Sequence, residues 1–164
     1  MLKLYAEKHY EPIIFYDDEG LAGYALLWTT GDTVLLDYFG VPEARRNQGL
    51  GGRILKDLRK HLHGRAMILE VEAPDGGEED ELRQRRIAFY ERCGCQLLPY
   101  DCGLFGVHYR CLALNWNGKN PQKLMEKHYR LYERDIPRRY FKGNVRIPLP
   151  PGEEAPSTIT WNKA

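Results

Sequence analysis

An apolar run rich in β-branched and aromatic residues, Thr33-Val34-Leu35-Leu36-Asp37-Tyr38-Phe39-Gly40-Val41, leads within four residues into Arg45-Arg46-Asn47-Gln48-Gly49-Leu50-Gly51-Gly52, and a helix pattern follows. The run reads as a buried strand. Downstream, Ile54, Leu55, Leu58 and Leu62 recur at helical spacing with Lys56, Asp57, Arg59 and Lys60 between them, and Gly64 is placed to stop the helix. The glycine loop therefore sits at a strand-to-helix junction. Glycines let backbone N–H groups converge on one point, and the helix adds the positive end of its dipole, which is the chemistry of an anion cradle. The same residues also fit a tight turn with two solvated arginines. No Gly-Lys-Ser/Thr follows, so this is not a Walker loop, and Gly49-Leu50-Gly51-Gly52 lacks the third glycine and later acidic partner of a dinucleotide fold.

Composition bounds the partners. The 164 residues are enough for one domain with a real core. Lys and Arg number 24 against 23 Asp and Glu, so no bulk charge draws the chain to nucleic acid or membrane, and any anion site must be local. No run of about 18 apolar residues and no signal-peptide pattern is present, and the expected location is the cytoplasm. Cys93, Cys95, Cys102 and Cys111 are then expected as reduced thiols, and their spacing is not that of a zinc ribbon or finger, so no metal is expected.

Around the loop, the order of elements can be read from periodicity and turn residues. Glu11 to Phe15 and Leu21 to Thr29 read as strands about the turn Asp17-Asp18-Glu19-Gly20, and Gly31-Asp32 turns into the strand at Thr33. Ala66 to Glu72 is another apolar strand, joined through the helix and so placed parallel to its predecessor by a right-handed crossover. A second helix starts in the acidic run Glu78 to Glu81 and ends at Gly94; Cys95 to Tyr100 and Val107 to Leu114 follow as short strands. Asn120 and Pro121 open a helix whose stripe of Leu124, Met125, His128, Leu131 and Tyr132 docks it on the body. Beyond Pro137, a basic run and Ile147-Pro148-Leu149-Pro150-Pro151 read as an extended or mobile tail unless something holds it.

Two motifs in this order carry a resemblance. Arg46-Asn47-Gln48-Gly49-Leu50-Gly51 and Phe89-Tyr90-Glu91-Arg92-Cys93-Gly94, separated by helix, strand and helix, resemble the coenzyme A loop and the tyrosine-bearing helix of the GNAT superfamily of acyl-CoA-dependent N-acyltransferases. The resemblance covers about residues 10 to 114. It implies an α+β fold with α/β/α layers: a mixed, mostly antiparallel sheet with a splayed central parallel pair, N-terminally short, with a C-terminal helical extension. The domain would span 1–118, the docked helix 119–136 and the tail 137–164.

The resemblance also implies a reaction, the transfer of an acetyl group from acetyl-CoA to a primary amine by direct attack on the thioester. Gln48, Gly49, Leu50, Gly51 and Gly52, with Arg46 and Asn47, would hold the pyrophosphate, with Arg45 and Arg53 as further point charges. The backbone of Phe39, Gly40 and Val41 would pair with the pantetheine arm and polarise the thioester carbonyl. Tyr90 would serve the leaving thiolate, or merely pack under the sheet. A protonated amine must lose a proton. Asp37 is the first candidate base, being of the same strand parity as Phe39 and so expected on the same face. Glu72 is the second, with a salt bridge to Arg83, Arg85 or Arg86 as its structural alternative; Glu70, on the same face as Glu72, and His108 are further candidates.

Three departures qualify the match. Fewer than ten residues precede the first strand, where the family usually places a strand and two helices that wall the acceptor pocket, so either the start is short or the helix from Asn120 to Arg134 takes over part of that wall. Arg83 stands where the family often has asparagine, and Cys95 where it often has phenylalanine. Two other readings follow: a GNAT-like module that binds acyl-CoA and acts through a partner without turnover, and a nucleotide-binding α/β module with no splay. A homodimer is compatible with the aromatic residues Tyr129, Tyr132, Tyr140 and Phe141.

Overall fold

The computed structural model describes residues 9–159. Seven strands form one sheet: β1 (Tyr10–Asp17), β2 (Gly20–Thr30), β3 (Thr33–Gly40), β4 (Ala66–Glu72), β5 (Gln96–Leu104), β6 (Val107–Leu114) and β7 (Val145–Leu149). Their order across the sheet is β1-β2-β3-β4-β6-β5-β7, and only β3 and β4 are parallel. This is the expected mixed sheet. A 3-10 turn (Glu43–Arg45) precedes α1 (Leu50–His61), and α2 (Asp80–Arg92), α3 (Pro121–Asp135) and α4 (Arg138–Asn144) complete the fold. No helix among the described residues is long and apolar enough to cross a membrane.

Continuous apolar runs in β3 and β4 are explained by burial on both faces. Val34 and Leu36 of β3, with Met67 and Leu69 of β4, point to a core completed by Ile54, Leu55 and Leu58 of α1 and by Phe89 and Tyr90 of α2. Leu35 and Ile68, their neighbours in sequence, point to a second core beneath Leu124, Leu131 and Tyr132 of α3 and Phe141 of α4. α1 has a sharp apolar stripe, with Arg59, Lys60 and His61 in its last turn where the dipole favours cations. α2 is anchored differently. None of its residues is fully buried, and its start is held by Asp80, whose carboxylate accepts the N–H groups of Asp75 and Gly76 at 2.8 Å each.

Two irregularities shape the centre of the sheet. The parallel pairing runs only from Thr33–Ala66 to Leu36–Leu69, although β3 continues to Gly40 and β4 to Glu72. Past Leu36 the two strands therefore part. At the same point the β2–β3 register shifts: Leu27 faces Leu36 and Leu26 faces Tyr38, leaving Asp37 as an extra residue in a β-bulge.

The segment after Pro137 is held, and in a manner the proline-rich composition obscured. Arg138–Asn144 is helical, and Val145–Leu149 adds an antiparallel strand beside β5. Val145, Ile147 and Leu149 are buried while Arg146 and Pro148 are exposed, the alternation of a half-buried strand. Pro148 is tolerated because β7 is the edge of the sheet. Past the strand, the chain folds back onto buried Asn144, whose amide donates to the Tyr140 carbonyl at 2.7 Å and the Thr158 hydroxyl at 2.8 Å, and accepts the Thr158 N–H at 2.7 Å. Asn144→Ala leaves three partners unmet, a cost of about 1–3 kcal/mol. The expected drop in Tm is several degrees, at roughly 2–4 °C per kcal/mol for a chain of this size. A Tm within about 1 °C of the parent would show that the tail is not fastened there.

Candidate active site

The parting of β3 and β4 produces two clefts, one on each face of the sheet. The first, about 540 Å³, lies between the start of α1 and α2 and is lined by Phe39, Val41, Leu50 and a ring of arginines. Gly49 caps α1 at φ 74°, a left-handed conformation that costs other residues about 1–2 kcal/mol. No side chain caps the helix, so the first N–H groups, Leu50, Gly51 and Gly52, open on the cleft unpaired. Gly51 has a separate reason to be glycine: a Cβ there would meet the Phe89 ring at 3.0 Å, so it sets the approach of α2 to α1.

The arginines divide by partner. Arg45 grips Asp17 through two hydrogen bonds of 2.9 and 2.8 Å, with Glu19 at 3.2 Å and the Leu21 carbonyl at 3.1 Å, so it fastens the β1–β2 turn. That grip holds the Asp17 carboxyl below its ordinary pKa. Arg53 is exposed and does not line the cleft. Arg46 donates to the Val41 carbonyl at 3.3 Å, and Arg85, Arg86 and Arg92 of α2 form the opposite wall. None of these four has an acidic partner among the described residues. From the sequence, Arg85 and Arg86 were weighed only as ion-pair partners of Glu72, although Arg85, Phe89 and Arg92, at i, i+4 and i+7, mark one helical face.

Tyr90 stands beside Phe39, the ring centroids 6.5 Å apart, and beside Phe89 at 5.2 Å. Burial, with lesser contributions from Cys95 and Cys93, pushes its phenol up to about 12. It stays protonated at neutral pH, and its hydroxyl makes no hydrogen bond to another described residue.

The second cleft, also about 540 Å³, is on the opposite face. Asp37 and Tyr38 line it, with Trp28 of β2, Glu70 of β4, and Tyr132 of α3. Here the parity expectation fails. Asp37 does not share a face with Phe39, because the bulge resets the alternation: Leu36 and Phe39 belong to the α1 side, and Asp37 and Tyr38 to the α3 side. Asp37 accepts a hydrogen bond from the Tyr10 hydroxyl. Desolvation raises its pKa; the Tyr10 bond opposes this and the Glu70 charge adds to it. Tyr132 of α3 and the following Ile136 form part of the wall of this cleft.

Glu72 and His108 lie elsewhere. Glu72 accepts from Arg83 Nε at 3.3 Å, and Arg83 also reaches Asp75 at 2.6 Å and Asp80 at 3.3 Å, so both are committed to the loop before α2. His108 meets Asp101 at 2.7 Å on the exposed side of β6. Glu70 is different. Its carboxylate accepts from His128 Nε2 at 2.7 Å and from the Tyr132 hydroxyl at 2.8 and 2.9 Å, and the Tyr100 hydroxyl lies 3.0 Å from His128 Nδ1. Donor atoms of Glu70, Cys102 and His128 come within 4.8 Å of one another, a spacing a metal could use, but the imidazole and carboxylate are already joined to each other and to the tyrosines. His128 was read from sequence only as part of an apolar stripe.

Comparisons with known proteins agree with this geometry. The family model described as an acetyltransferase (GNAT) domain matches residues 8–95. The Bacillus subtilis protein named "Putative acetyltransferase YjbC" is 33% identical over 79 residues, which is 48% of this chain and 39% of that protein, so the match spans about two fifths of the relative's length. A GNAT-family structure from Bacteroides thetaiotaomicron superposes with a TM-score of 0.64 at 25% identity, covering 80% of this chain and 76% of that one. An Elizabethkingia anophelis GNAT acetyltransferase with acetyl-CoA bound shares the fold at TM-score 0.54 and 14% identity, over 69% and 80% of the two chains. The chain, with its glycine-capped helix and parted parallel strands, belongs to the GNAT acetyltransferase family.

Proposed function

We propose that this chain transfers an acetyl group from acetyl-CoA to a primary amine, with the donor in the arginine-lined cleft and the acceptor in the cleft on the other face. The observation that carries the reading is that both clefts open on one short stretch of chain, Asp37 to Val41, which runs on past the last pairing of β3 with β4. A donor on one face and an acceptor on the other can meet there.

The donor cleft fits its substrate. The bare N–H groups at the start of α1 suit a pyrophosphate, with Gln48 and Asn47 in the same loop, and Arg46, Arg85, Arg86 and Arg92 supply charge that no acidic residue neutralises. The free edge of Phe39, Gly40 and Val41 offers backbone groups to an extended pantetheine arm and an N–H to the thioester carbonyl. Acetyl-CoA supplies the activated acyl group.

Asp37 takes the proton from the incoming ammonium, and its raised pKa narrows the gap to an amine of ordinary pKa about 10.4. Tyr90 serves the leaving sulfur as a hydrogen-bond donor. A phenol at about 12 cannot hand its proton fully to a thiolate of cysteine-like basicity near 8.5 without running several pKa units uphill, so solvent completes the transfer.

Thiol release from acetyl-CoA across a panel of amines tests the reading. Tyr90→Phe should lower kcat about 10- to 100-fold, the value of one charge-assisted hydrogen bond, with the KM for acetyl-CoA little changed. Asp37→Asn should lower kcat/KM for the amine by about 10²-fold or more. Gly49→Ala should instead raise the KM for acetyl-CoA, by roughly 10-fold for a strain of about 1–2 kcal/mol. Binding of acetyl-CoA without thiol release from any amine would favour the module without turnover.

The pH dependence has a fixed sign. Asp37 works as the anion, so kcat/KM rises with pH through an acid limb lying above the ordinary carboxylate value of about 4. Among the described residues, the groups that act on Asp37 are Tyr10 from β1 and Glu70 from β4. Tyr10→Phe removes the hydrogen bond that lowers the Asp37 pKa, and the limb should move to higher pH; a limb that stays in place or moves down would remove Asp37 from the role.

A further inference from the structure

We propose that Glu70, Cys102, Cys111 and His128 form a site for one zinc ion, closed and four-coordinate, in the core between α3 and the sheet. The site is independent of how the two clefts are used, and it follows from the convergence of four donor side chains.

Strand pairing gathers the ligands. β6 lies between β4 and β5. Glu70 of β4 stands directly opposite Cys111 of β6, and Cys102 of β5 pairs with Tyr109, two residues before Cys111. Side chains two apart on a strand share a face, so the carboxylate and both thiols form a row across three strands. α3 lays His128 against that row. The cysteines are nine residues apart in the sequence, outside any finger or ribbon spacing, and only the register of β5 and β6 brings them together.

The distances suit a single ion. His128 Nε2 is 2.7 Å from Glu70 Oε1, Cys102 Sγ is 4.0 Å from the same oxygen, and the two sulfurs are 3.5 Å apart. Cys111 is also in hydrogen-bonding contact with His128. Zinc bonds of about 2.0–2.3 Å in a tetrahedron put the donors about 3.2–3.8 Å from one another, so shifts of about half an ångström bring the four onto one centre.

The chemistry of the set points the same way. Cys102, Cys111 and His128 are buried, and a thiol is a weak hydrogen-bond partner for a buried carboxylate, whereas a thiolate is a strong zinc ligand. Two sulfurs with an imidazole select zinc over magnesium or calcium. On binding, two S–H bonds break, two zinc–sulfur bonds form, and both protons go to solvent; the neutral imidazole binds through a nitrogen lone pair. The ion takes the place of the hydrogen bond between Nε2 and Oε1. The bonds on the outer side remain: the Tyr132 hydroxyl donates to Glu70 Oε2 at 2.9 Å, and the Tyr100 hydroxyl lies 3.0 Å from His128 Nδ1. Such outer contacts orient metal ligands. Four protein ligands leave no open position, so the ion ties α3 to β4, β5 and β6.

Metal analysis of the full chain tests this without turnover. Produced in zinc-supplemented medium and kept under a phosphine reductant, so that the thiols cannot pair, the chain should carry one zinc. After a chelator removes it, cobalt(II) should titrate to one ion per chain, with the visible bands of a tetrahedral site and a thiolate-to-cobalt charge-transfer band. Returning zinc to the stripped chain at about 100 times its Kd should raise Tm by about 5–10 °C. A chain that takes up neither metal overturns the proposal, and so does cobalt bound without the thiolate band.

Substitutions assign the ligands. Cys102→Ala and Cys111→Ala should each weaken zinc binding about 100-fold and diminish the thiolate band, while Cys93→Ala, at a thiol outside the set, should leave both unchanged. Parent affinity in both Cys102→Ala and Cys111→Ala, or loss of the band in Cys93→Ala, overturns the assignment. Should a buried substitution prevent folding, the cobalt spectrum and stoichiometry of the parent chain decide.

Discussion

Four registered pairs, Thr33–Ala66 to Leu36–Leu69, join β3 to β4, and the end of that ladder governs the rest of the molecule. Up to Leu36 the two strands are buried on both faces and act as the spine between the two cores. Beyond it their facing backbone edges are free and the side chains above and below no longer close over one another. A sheet interior cannot leave such groups unmatched without cost, so the site is open to a ligand that supplies the missing pairing. The bulge at Asp37 belongs to the same device. By adding one residue to β3, it turns Asp37 and Tyr38 toward α3 while Phe39 stays with α1 and α2. One strand thereby serves two clefts with side chains of different character.

Charge is distributed to match that division. The first cleft carries arginines from the loop before α1 and from α2, and the second carries carboxylates with aromatic walls. A chain with a formal net charge of +1 thus holds local fields of opposite sign on the two faces of its sheet. The acidic residues near α2 are kept from cancelling the arginines by Arg83, which gathers Glu72, Asp75 and Asp80 at the far end of the helix. Arg45 does the same for Asp17 and Glu19 at the β1–β2 turn. Two arginines are used to occupy acids, and four are left facing the cleft.

Much of this was legible in the sequence. The strand–loop–helix unit, the second motif at Tyr90 and the helix from Pro121 follow from local periodicity and turn chemistry, which the structure reproduces within a few residues. What could not be read was set by register or by long-range contact. A bulge leaves no local mark, so counting parity from Asp37 to Phe39 placed the carboxylate on the wrong face. Val145 to Leu149 alternates correctly for a strand, but only the exposed edge of β5 makes it one, and its prolines pointed to a loop. The role of His128 was hidden for the same reason. On its helix it is one position in an apolar stripe, and Glu70, its partner, is 58 residues away.

That partnership bears on how a buried polar cluster can belong in this core. His128, Glu70, Tyr100, Tyr132, Cys102 and Cys111 occupy volume that leucines could fill, and a half-satisfied set would be worse than an apolar core. Here the hydrogen-bonding groups answer one another: the imidazole takes a partner on each nitrogen, the carboxylate on each oxygen, and the two thiols lie 3.5 Å apart. The cluster also joins α3 to β4 and β5 by directional contacts. Since Tyr132 of α3 and Ile136 just past its end line the second cleft, the position of the helix sets the shape of that cleft. The polar core therefore fixes the position of one wall of the second cleft.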